Sequence, residues 1–372
     1  MTAPLGALTA FLTKNLSAYP GFSEARVASR LEILPRTRPA GIRSQPLHFP
    51  LNAYLLAFSG AFFATLVAVP VWRRVCLIRG WVDDPGHRKI HQSPVALAGG
   101  PAVFTGMLLV LGSAVLAVHW EWLGSDAVDK LSYGLGRRAF QLIAIFAGAA
   151  GMVALGAWDD LRELRPSVKF CGQFLIALLV AAAGVRVTLF VPSLLFSYAI
   201  TILWILTVTN ALNFNDNMNG LCGGLGLIAA LVFGLLAARS GQYLVGSMAF
   251  LTAGALLGFL PYNFPRASVF LGDSGSHLVG FLLSVLAILP HFYSAKLTHP
   301  SRLAVFHPLL VLGVPLLDLA SVVWIRTRAG KPFWIGDTQH FSHRLVRAGR
   351  SRPMAVLMLW TAAAAGGLLT LL

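Results

Sequence analysis

Two adjacent carboxylates follow directly after a long apolar stretch, and basic residues lie close behind them. Asp159 and Asp160 stand in the segment WDDLRELRPSVKF, which also carries Lys169. Neighbouring carboxylates repel each other, so both stay ionised only when a cation, a proton or hydrogen bonds compensate them. A divalent metal ion or a bound phosphate would supply that compensation. The alternative is that these acids mark the water boundary of a helix and pair with the nearby arginines.

Carboxamides and a further carboxylate crowd the segment NALNFNDNMNGLCGGLG, between two apolar stretches. Asn210, Asn213 and Asp216 are the candidate ligand-binding residues in it. So many donors and acceptors suit a hydrated ligand such as a sugar or a nucleotide, and the glycines permit close approach of the backbone. Asn and Gly are also common in turns, but a turn needs only two or three of them. The segment therefore favours a binding site, carried by a loop.

Asp273 stands among small residues in VFLGDSGSHLVGF, just before an apolar stretch. A carboxylate in such a tight turn is a natural magnesium ligand when a diphosphate supplies the remaining oxygen atoms. The start of the following helix could also receive a phosphate. The alternative is that Asp273 is simply the N-cap of that helix.

Histidines and basic residues in two further polar segments are candidates for contacting an anion. GKPFWIGDTQHFSHRLVRAGRSR contains His340 and His343, which share one face if the segment is helical. VDDPGHRKIHQSPVALAGG contains Lys89 and His91. Two histidines without a third ligand are weak evidence for a transition metal, whereas contact with phosphate or substrate fits them. A basic patch at the membrane surface explains part of the arginines after His343.

The elements that must position these segments are apolar stretches of about 20 residues, each long enough to cross the hydrocarbon core of a bilayer. Of the 372 residues, 56% are hydrophobic and only 12% are charged, which excludes a disordered chain and an ordinary water-soluble enzyme. We predict an all-α, polytopic integral membrane domain over residues 51–372, after a polar and poorly ordered tail over residues 1–50. Ten transmembrane helices are expected, over Leu51–Trp72, Gly99–Val118, Phe140–Trp158, Val168–Gly184, Pro192–Thr209, Leu221–Ala238, Tyr243–Pro261, His277–Pro290, Leu303–Ile325 and Met354–Leu372.

Charge is divided unevenly between the two sets of alternating loops. The net charge of +15 would raise nucleic acid as a partner for a soluble domain, but a membrane protein concentrates Lys and Arg in its cytoplasmic loops. We therefore expect no nucleic-acid partner. The loops with the polar segments hold more than twice as many Lys and Arg residues as the opposite loops, which places them in the cytoplasm. Eight of the 14 acidic residues lie there: Asp83, Asp84, Asp159, Asp160, Glu163, Asp216, Asp273 and Asp337.

In this order, the five polar segments together resemble those of the polyprenyl-phosphate N-acetylhexosamine-1-phosphate transferases, from about Leu51 to the C-terminus. Members transfer a sugar phosphate from a UDP-activated amino sugar to a membrane polyprenyl phosphate, release UMP and require Mg²⁺. The resemblance implies an enzyme of the inner (plasma) membrane with a cytoplasmic active site that starts a lipid-linked cell-envelope glycan. A homodimer is compatible with the resemblance. VDDPGHRKIHQSP and DTQHFSH look more like the N-acetylglucosamine branch than the muramoyl-pentapeptide branch, which is the alternative.

The resemblance also implies roles for individual residues. Asp273 would be a magnesium ligand, Asp159 would deprotonate or orient the lipid phosphate, and Asp160 would assist at the metal or at that phosphate. The residues that would line the nucleotide-sugar site are Asn210, Asn213 and Asp216. The residues that would contact substrate or diphosphate are Lys169, His340 and His343.

Two positions depart from the family pattern, and one acid lies inside an apolar stretch. Asn219 stands where a second Asp is common, so no metal role is expected there, and Ser342 stands where a His is frequent. Asp318 lies within GVPLLDLASVVWIR, where an acid is by default a functional candidate. We interpret Asp318 first as a structural hydrogen-bond partner and only second as a site residue.

A secondary transporter is the alternative from another class, because many spans and isolated intramembrane acids also fit a substrate pathway. A transporter should place ionisable groups near the membrane midplane, with matching broken helices in two halves. This sequence has no evident internal repeat and concentrates its acids on one face. A catalytically silent relative that binds the lipid carrier is a third possibility.

Overall fold

The computed structural model describes residues 49–83, 94–120, 125–187, 191–289, 302–332 and 339–372. Of the predicted N-terminal tail, only its last two residues belong to the described part. The candidate anion contacts Lys89 and His91 lie outside the described residues, as do Asp84 and Asp337. The predictions made for them stay predictions.

Helices account for most of the described chain, which confirms the predicted all-α class. Their bounds are α1 Leu51–Arg79, α2 Gly99–His119, α3 Ser125–Arg162, α4 Pro166–Ala182, α5 Leu194–Phe214, α6 Leu221–Arg239, α7 Tyr243–Asn263, α8 Gly272–Ile288, α9 His307–Val311, α10 Gly313–Arg328, α11 Phe341–Arg347 and α12 Arg352–Leu369. A 3₁₀ helix over Arg302–Phe306 precedes α9. Two short antiparallel strands, β1 Val82–Asp83 and β2 Val95–Ala96, pair Val82 with Ala96 and Asp83 with Val95.

Seven of the described helices are long and apolar enough to cross a membrane: α1, α2, α3, α5, α6, α7 and α12. A further candidate span is broken, because α9 and the preceding 3₁₀ turn meet α10 at an angle of 69°. Gly313 stands at this break, and Pro315 has no N–H to donate to the carbonyl of Val311. The helices α4 and α8 are apolar but shorter. The chain is a multi-span membrane protein with seven candidate spans among its described residues, or eight with the broken one, rather than the ten predicted, because α4 and α8 fall short of the required length.

Several helices run further into the polar segments than their apolar stretches do. α3 continues to Arg162 and α5 to Phe214, whereas α8 already begins at Gly272. Asp159, Asp160, Asn210 and Asn213 are therefore helical, and the prediction that they lie in loops is wrong. The reason is that their polar side chains have partners on neighbouring helices, so polarity does not end the helix at the edge of the apolar stretch.

The shorter helix α8 is enclosed by its neighbours. Every residue from Ser274 to Ala287 is buried, and α8 packs against α2, α3, α5 and α6. Glycines permit this close packing, as they do between membrane helices generally. A Cβ atom on Gly280 would lie 2.6 Å from Cα of Thr209, and one on Gly156 of α3 would lie 2.4 Å from the carbonyl carbon of Asp273. The backbone of α3 therefore lies directly against the start of α8.

This contact generates a first prediction. Gly156→Ala should lower the free energy of unfolding by about 1–3 kcal/mol, because the added methyl group meets backbone that cannot move aside. The measurement is the thermal unfolding midpoint in detergent. Gly151→Ala in the same helix is the matched control, since its methyl group would meet only the flexible side chain of Ile176. Equal midpoints for the two variants would contradict the prediction.

Candidate active site

The last turn of α3 presents its two adjacent carboxylates to different partners. Asp159 Oδ1 accepts a hydrogen bond from the backbone N–H of Leu164 at 2.7 Å, and Oδ2 lies 2.7 Å from Nζ of Lys169. The carboxylate of Asp160 turns instead towards the start of α8. Mutual repulsion between the two neighbours is relieved because each has its own positive partner, an ammonium group for Asp159 and peptide N–H groups for Asp160.

Lys169 of α4 joins the carboxylates of two other helices. Its Nζ lies 2.7 Å from Asp159 Oδ2 on α3 and 2.6 Å from Asp273 Oδ2 on α8. The same nitrogen also lies 3.4 Å from Asn213 Oδ1 on α5. Ionised, this group of charges holds two carboxylates and one ammonium ion, so it carries a net negative charge. Its side chains are partly screened from solvent, which strengthens each of these contacts relative to a surface ion pair.

Two carboxylates from elsewhere in the chain cap the N-terminus of α8. Asp160 Oδ1 accepts from the N–H of Asp273 at 2.8 Å, and its Oδ2 accepts from the N–H of Ser274 at 3.1 Å. The N–H of Gly272 donates to Asp216. The alternative that Asp273 is the N-cap is wrong, because Asp273 lies in the first turn after Leu271. Asp160 and Asp216 accept from these N–H groups, and the prediction of a phosphate at this helix start stays a prediction.

Asn213 orients the carboxylate of Asp273 from the side of α5. Its Nδ2 donates to Asp273 Oδ1 at 2.7 Å and to Ser276 Oγ at 2.9 Å. Asn210, one turn earlier, is buried and donates to Gln173 and to the carbonyl of Leu206. Asn213 is therefore within the carboxylate cluster, whereas Asn210 lies deeper between the helices.

The turn after α5 adds Asp216 to the carboxylates at the start of α8. Burial raises the pKa of the Asp216 carboxyl group well above its usual value, and the charges of Asp273 and Asp160 raise it further. The hydrogen bond from Gly272 acts in the opposite direction. A cation close to Asp216 would favour the ionised form of its carboxyl group.

A cavity of about 660 Å³ lies beside this cluster, within the range of small-molecule sites. Its acidic lining consists of Asp83, Asp160, Asp216 and Asp273. Two cationic side chains, Arg266 and Arg352, line the same cavity, and Phe264 and Phe270 contribute aromatic rings. Asp159 and Lys169 are outside this lining, so Asp273 connects the cavity to the Lys169 ion pairs.

The C-terminal histidines occupy different positions at the cavity. His340 is buried, with Nδ1 2.6 Å from Asp318 Oδ2, and the N–H of Phe341 donates to Asp318 Oδ1 at 2.6 Å. This confirms Asp318 as a structural hydrogen-bond partner. His343 lines the cavity. The distance between the centres of the two rings is 6.3 Å. Asp318 thus holds the start of α11 in place, and α11 presents His343.

Burial also affects the protonation of His343. It lowers the pKa of the imidazole, and the positive charges of His340, Arg347 and Arg352 lower it further, against the opposing charge of Asp318. The ring is therefore mainly neutral at pH 7. It can donate or accept hydrogen bonds in the cavity, and the positive charge there comes from the arginines.

The structure brings together most of the residues that the sequence singled out. The cluster and its cavity contain Asp159, Asp160, Lys169, Asn213, Asp216, Asp273 and His343. Asn210 and His340 are buried behind them. Sequence reasoning missed Arg266 and Arg352, because both were counted only as cytoplasmic-loop charge. It also missed Gln173 and His277, which stand in apolar stretches without any pattern that marks them.

These features define a multi-span membrane protein with a carboxylate-rich cavity where several helix ends meet. Residues 142–291 match the sequence model of glycosyl transferase family 4. A probable undecaprenyl-phosphate N-acetylglucosaminyl 1-phosphate transferase of Bacillus subtilis is 30% identical over 314 residues, which cover 82% of this chain and 81% of that protein. The decaprenyl-phosphate N-acetylglucosaminephosphotransferase of Mycobacterium tuberculosis H37Rv is 33% identical over 348 residues, covering 86% and 82%. The chain belongs to glycosyl transferase family 4.

The attachment of α11 to Asp318 gives a second prediction. Asp318→Ala should speed backbone hydrogen exchange in α11 roughly tenfold to a hundredfold, because hydrogen bonds to a charged group contribute about 1.5–3 kcal/mol. Mass spectrometry of exchange in detergent measures it. Ser321→Ala is the matched control, since that hydroxyl bonds only within α10, to the carbonyl of Asp318. Unchanged exchange in the Asp318 variant would show that α11 is held by other contacts.

Proposed function

We propose that this protein transfers N-acetylglucosamine 1-phosphate from UDP-N-acetylglucosamine to a polyprenyl phosphate in the membrane. An oxygen of the acceptor phosphate attacks the sugar-bearing phosphorus of the donor. The bond from that phosphorus to the bridging oxygen breaks, and UMP leaves with the electron pair. The named relatives support this choice, since their names specify an undecaprenyl or decaprenyl phosphate and N-acetylglucosamine. The product would start a lipid-linked cell-envelope glycan.

The observation that carries the proposal is the position of Asp273 between two different environments. On one side its carboxylate bonds Lys169, which also holds Asp159. On the other side it lines the cavity with Asp160 and Asp216. A reaction between two phosphates needs two neighbouring anion sites, and it depends on positioning and charge neutralisation more than on covalent chemistry. We assign the cavity to the nucleotide sugar and the Asp159–Lys169 side to the lipid phosphate.

The surroundings of each side support this division. Exposed apolar side chains flank Asp159 and Lys169, namely Trp158, Leu161 and Val168, and they suit a hydrocarbon chain. Across the cavity, Arg266 and Arg352 suit the phosphates of a nucleotide. Lys169 would help to neutralise the acceptor phosphate, while Asp159, held by Leu164 and Lys169, would orient that phosphate or take its proton.

Magnesium is the proposed cofactor, and the available donors fit it. Asp160, Asp216 and Asp273 offer carboxylate oxygens, the type of ligand that Mg²⁺ prefers. Within the described residues, no group of three acidic, His or Cys side chains forms a complete metal site. This agrees with magnesium chemistry, because the ion commonly takes one or two carboxylates and completes its coordination with substrate phosphates and water. Bound there through Asp273 and Asp160, it would neutralise charge on the donor diphosphate.

The proposal also specifies the side of the membrane on which the active site lies. The excess of Lys and Arg in the loops beside the cavity supports a cytoplasmic active site in the inner (plasma) membrane, where a soluble nucleotide sugar meets its lipid acceptor. A transporter is disfavoured, because Asp318, the acid within α10, is paired with His340 and so is not a free carboxylate on a substrate path.

The direct test is release of UMP by the purified protein in detergent. Release should require UDP-N-acetylglucosamine, polyprenyl phosphate and Mg²⁺ together, and Asp273→Asn should lower kcat at least about a hundredfold, the scale of an electrostatic catalytic contact. Glu163→Gln is the matched control, since this exposed carboxylate just beyond α3 lies outside the cavity lining.

A panel of UDP-sugars, including the muramoyl-pentapeptide donor, distinguishes the two branches of the family. If the wild-type protein releases no more UMP than the Asp273 variant with every donor tested, the proposal is wrong. Preference for the muramoyl-pentapeptide donor would instead move the protein to the other branch.

A further prediction concerns the division between the two sides. Asp159→Asn should lower kcat while leaving KM for the UDP-sugar within about twofold, because Asp159 lies outside the cavity. Arg352→Gln should raise that KM roughly tenfold with little change in kcat, because it removes a binding contact. Steady-state kinetics at saturating polyprenyl phosphate measure both. The reverse pattern would mean that the donor and acceptor sides are interchanged.

A further inference from the structure

A second set of polar side chains lies one helical turn below the carboxylate cluster. Gln173 follows Lys169 by four residues on α4, His277 follows Asp273 by four on α8, and Asn210 precedes Asn213 by three on α5. All three side chains are buried. Three of the helices that supply cluster residues, α4, α5 and α8, thus each supply a second polar residue deeper in the bundle, and Gln173 contacts both of the others.

The contact between Asn210 and Leu206 fixes which atoms donate and which accept in these hydrogen bonds. Asn210 Nδ2 lies 2.8 Å from the carbonyl oxygen of Leu206, which can only accept, so the atom at this position must be the amide nitrogen. The same nitrogen donates to Gln173 Oε1 at 2.7 Å. The oxygen of Gln173 therefore faces Asn210, and its amide nitrogen must face the other way.

The amide nitrogen of Gln173 lies 3.3 Å from Nε2 of His277. An amide nitrogen only donates, so Nε2 must carry the lone pair and the ring proton must be on Nδ1. Nδ1 is buried and has no hydrogen-bond partner in the part of the chain that the structure describes. Among the hydrogen bonds of that part, the bond from Gln173 is thus what selects the tautomer.

We propose that Leu206, Asn210, Gln173 and His277 form a hydrogen-bonded chain, in which Asn210 donates to both of its neighbours and Gln173 donates to His277. This chain keeps His277 neutral and positions the helices carrying Lys169, Asn213 and Asp273. His277 is a positioning residue in this chain. Four residues of helix rise about 6 Å, so a cationic ring at this depth would compete with Lys169 for the carboxylates above it. The neutral tautomer ties α4 to α8 without adding charge.

The first test reads the tautomer directly and does not depend on the proposed function. Protein labelled with ¹⁵N-histidine is studied by NMR, and the signal of His277 is assigned by its loss in His277→Gln. In the expected tautomer, the unprotonated nitrogen couples to both carbon-bound ring protons and the protonated one to a single proton. At a pH at which its new carboxyl group is ionised, Gln173→Glu offers only acceptors, so it should move the proton to Nε2 or produce the doubly protonated ring. A wild-type ring protonated at Nε2, or no change in the Gln173 variant, overturns the proposal.

The second test measures positioning and rests on the proposed transfer of sugar phosphate. His277→Gln keeps an acceptor for the Gln173 amide, whereas His277→Leu removes it at similar volume. We expect His277→Leu and Gln173→Glu to lower kcat roughly tenfold to a hundredfold with KM for the UDP-sugar nearly unchanged, and His277→Gln to retain most of kcat. Misplacing the reacting groups lowers turnover without weakening the binding of the UDP-sugar. Thermal unfolding checks that each variant is folded.

Ser284→Ala is the matched control for these variants. Ser284 is also buried in α8, and its hydroxyl bonds only within that helix, to the carbonyl of Phe281, so kcat should stay unchanged. Equal kcat for His277→Leu and His277→Gln in folded protein would overturn the positioning role. A wild-type protein that releases no UMP would count against the proposed function, while the tautomer measurement would still decide whether the chain exists.

Discussion

The capping of α8 by Asp160 is the interaction on which the rest of the site depends. The first N–H groups of a helix have no partner within it, and a carboxylate there stabilises the helix through hydrogen bonds and the helix dipole, by about 0.3–2 kcal/mol. The residue before α8, Leu271, cannot supply that cap, so α3 supplies it from a distant part of the sequence. This requires the close approach that Gly156 permits. The position of Asp273 follows from that contact, because Asp273 lies in the first turn of α8.

The same capping explains how several acidic side chains lie close together although few positively charged side chains surround them. Asp160 and Asp216 are held by peptide N–H groups, whereas the ammonium group of Lys169 compensates Asp159 and Asp273. Peptide dipoles fix a carboxylate without neutralising its formal charge. Asp160 and Asp216 therefore keep oxygen lone pairs that face the cavity. A site of this type is suited to a metal ion that arrives with an anionic substrate.

The carboxylates of the proposed reaction could be identified from the sequence, whereas their arrangement in space could not. Asp159, Asp160 and Asp273 stood out because acids are rare in an apolar chain, and the order of the segments revealed the family. The helical state of Asn213 was not predictable, because a dense run of Asn and Gly is typical of turns and only contacts with α8 override that preference. His277 resembles an ordinary core residue in sequence. Its role emerges only when Gln173, 104 positions away, is seen beside it.

The two departures from the family pattern have different structural settings, and neither changes the charges at the start of α8. Ser342 is buried, and its hydroxyl donates to Asn217 Oδ1 at 2.6 Å, so position 342 connects α11 to the Asn-rich segment. A residue in that position acts on substrate only through the placement of its neighbours. Asn219 lines the cavity, but its amide donates to the carbonyl of Pro265 at 3.4 Å. Asp160, Asp216 and Asp273 line the same cavity, so a further carboxylate at position 219 would add to their mutual repulsion, which the neutral Asn219 avoids.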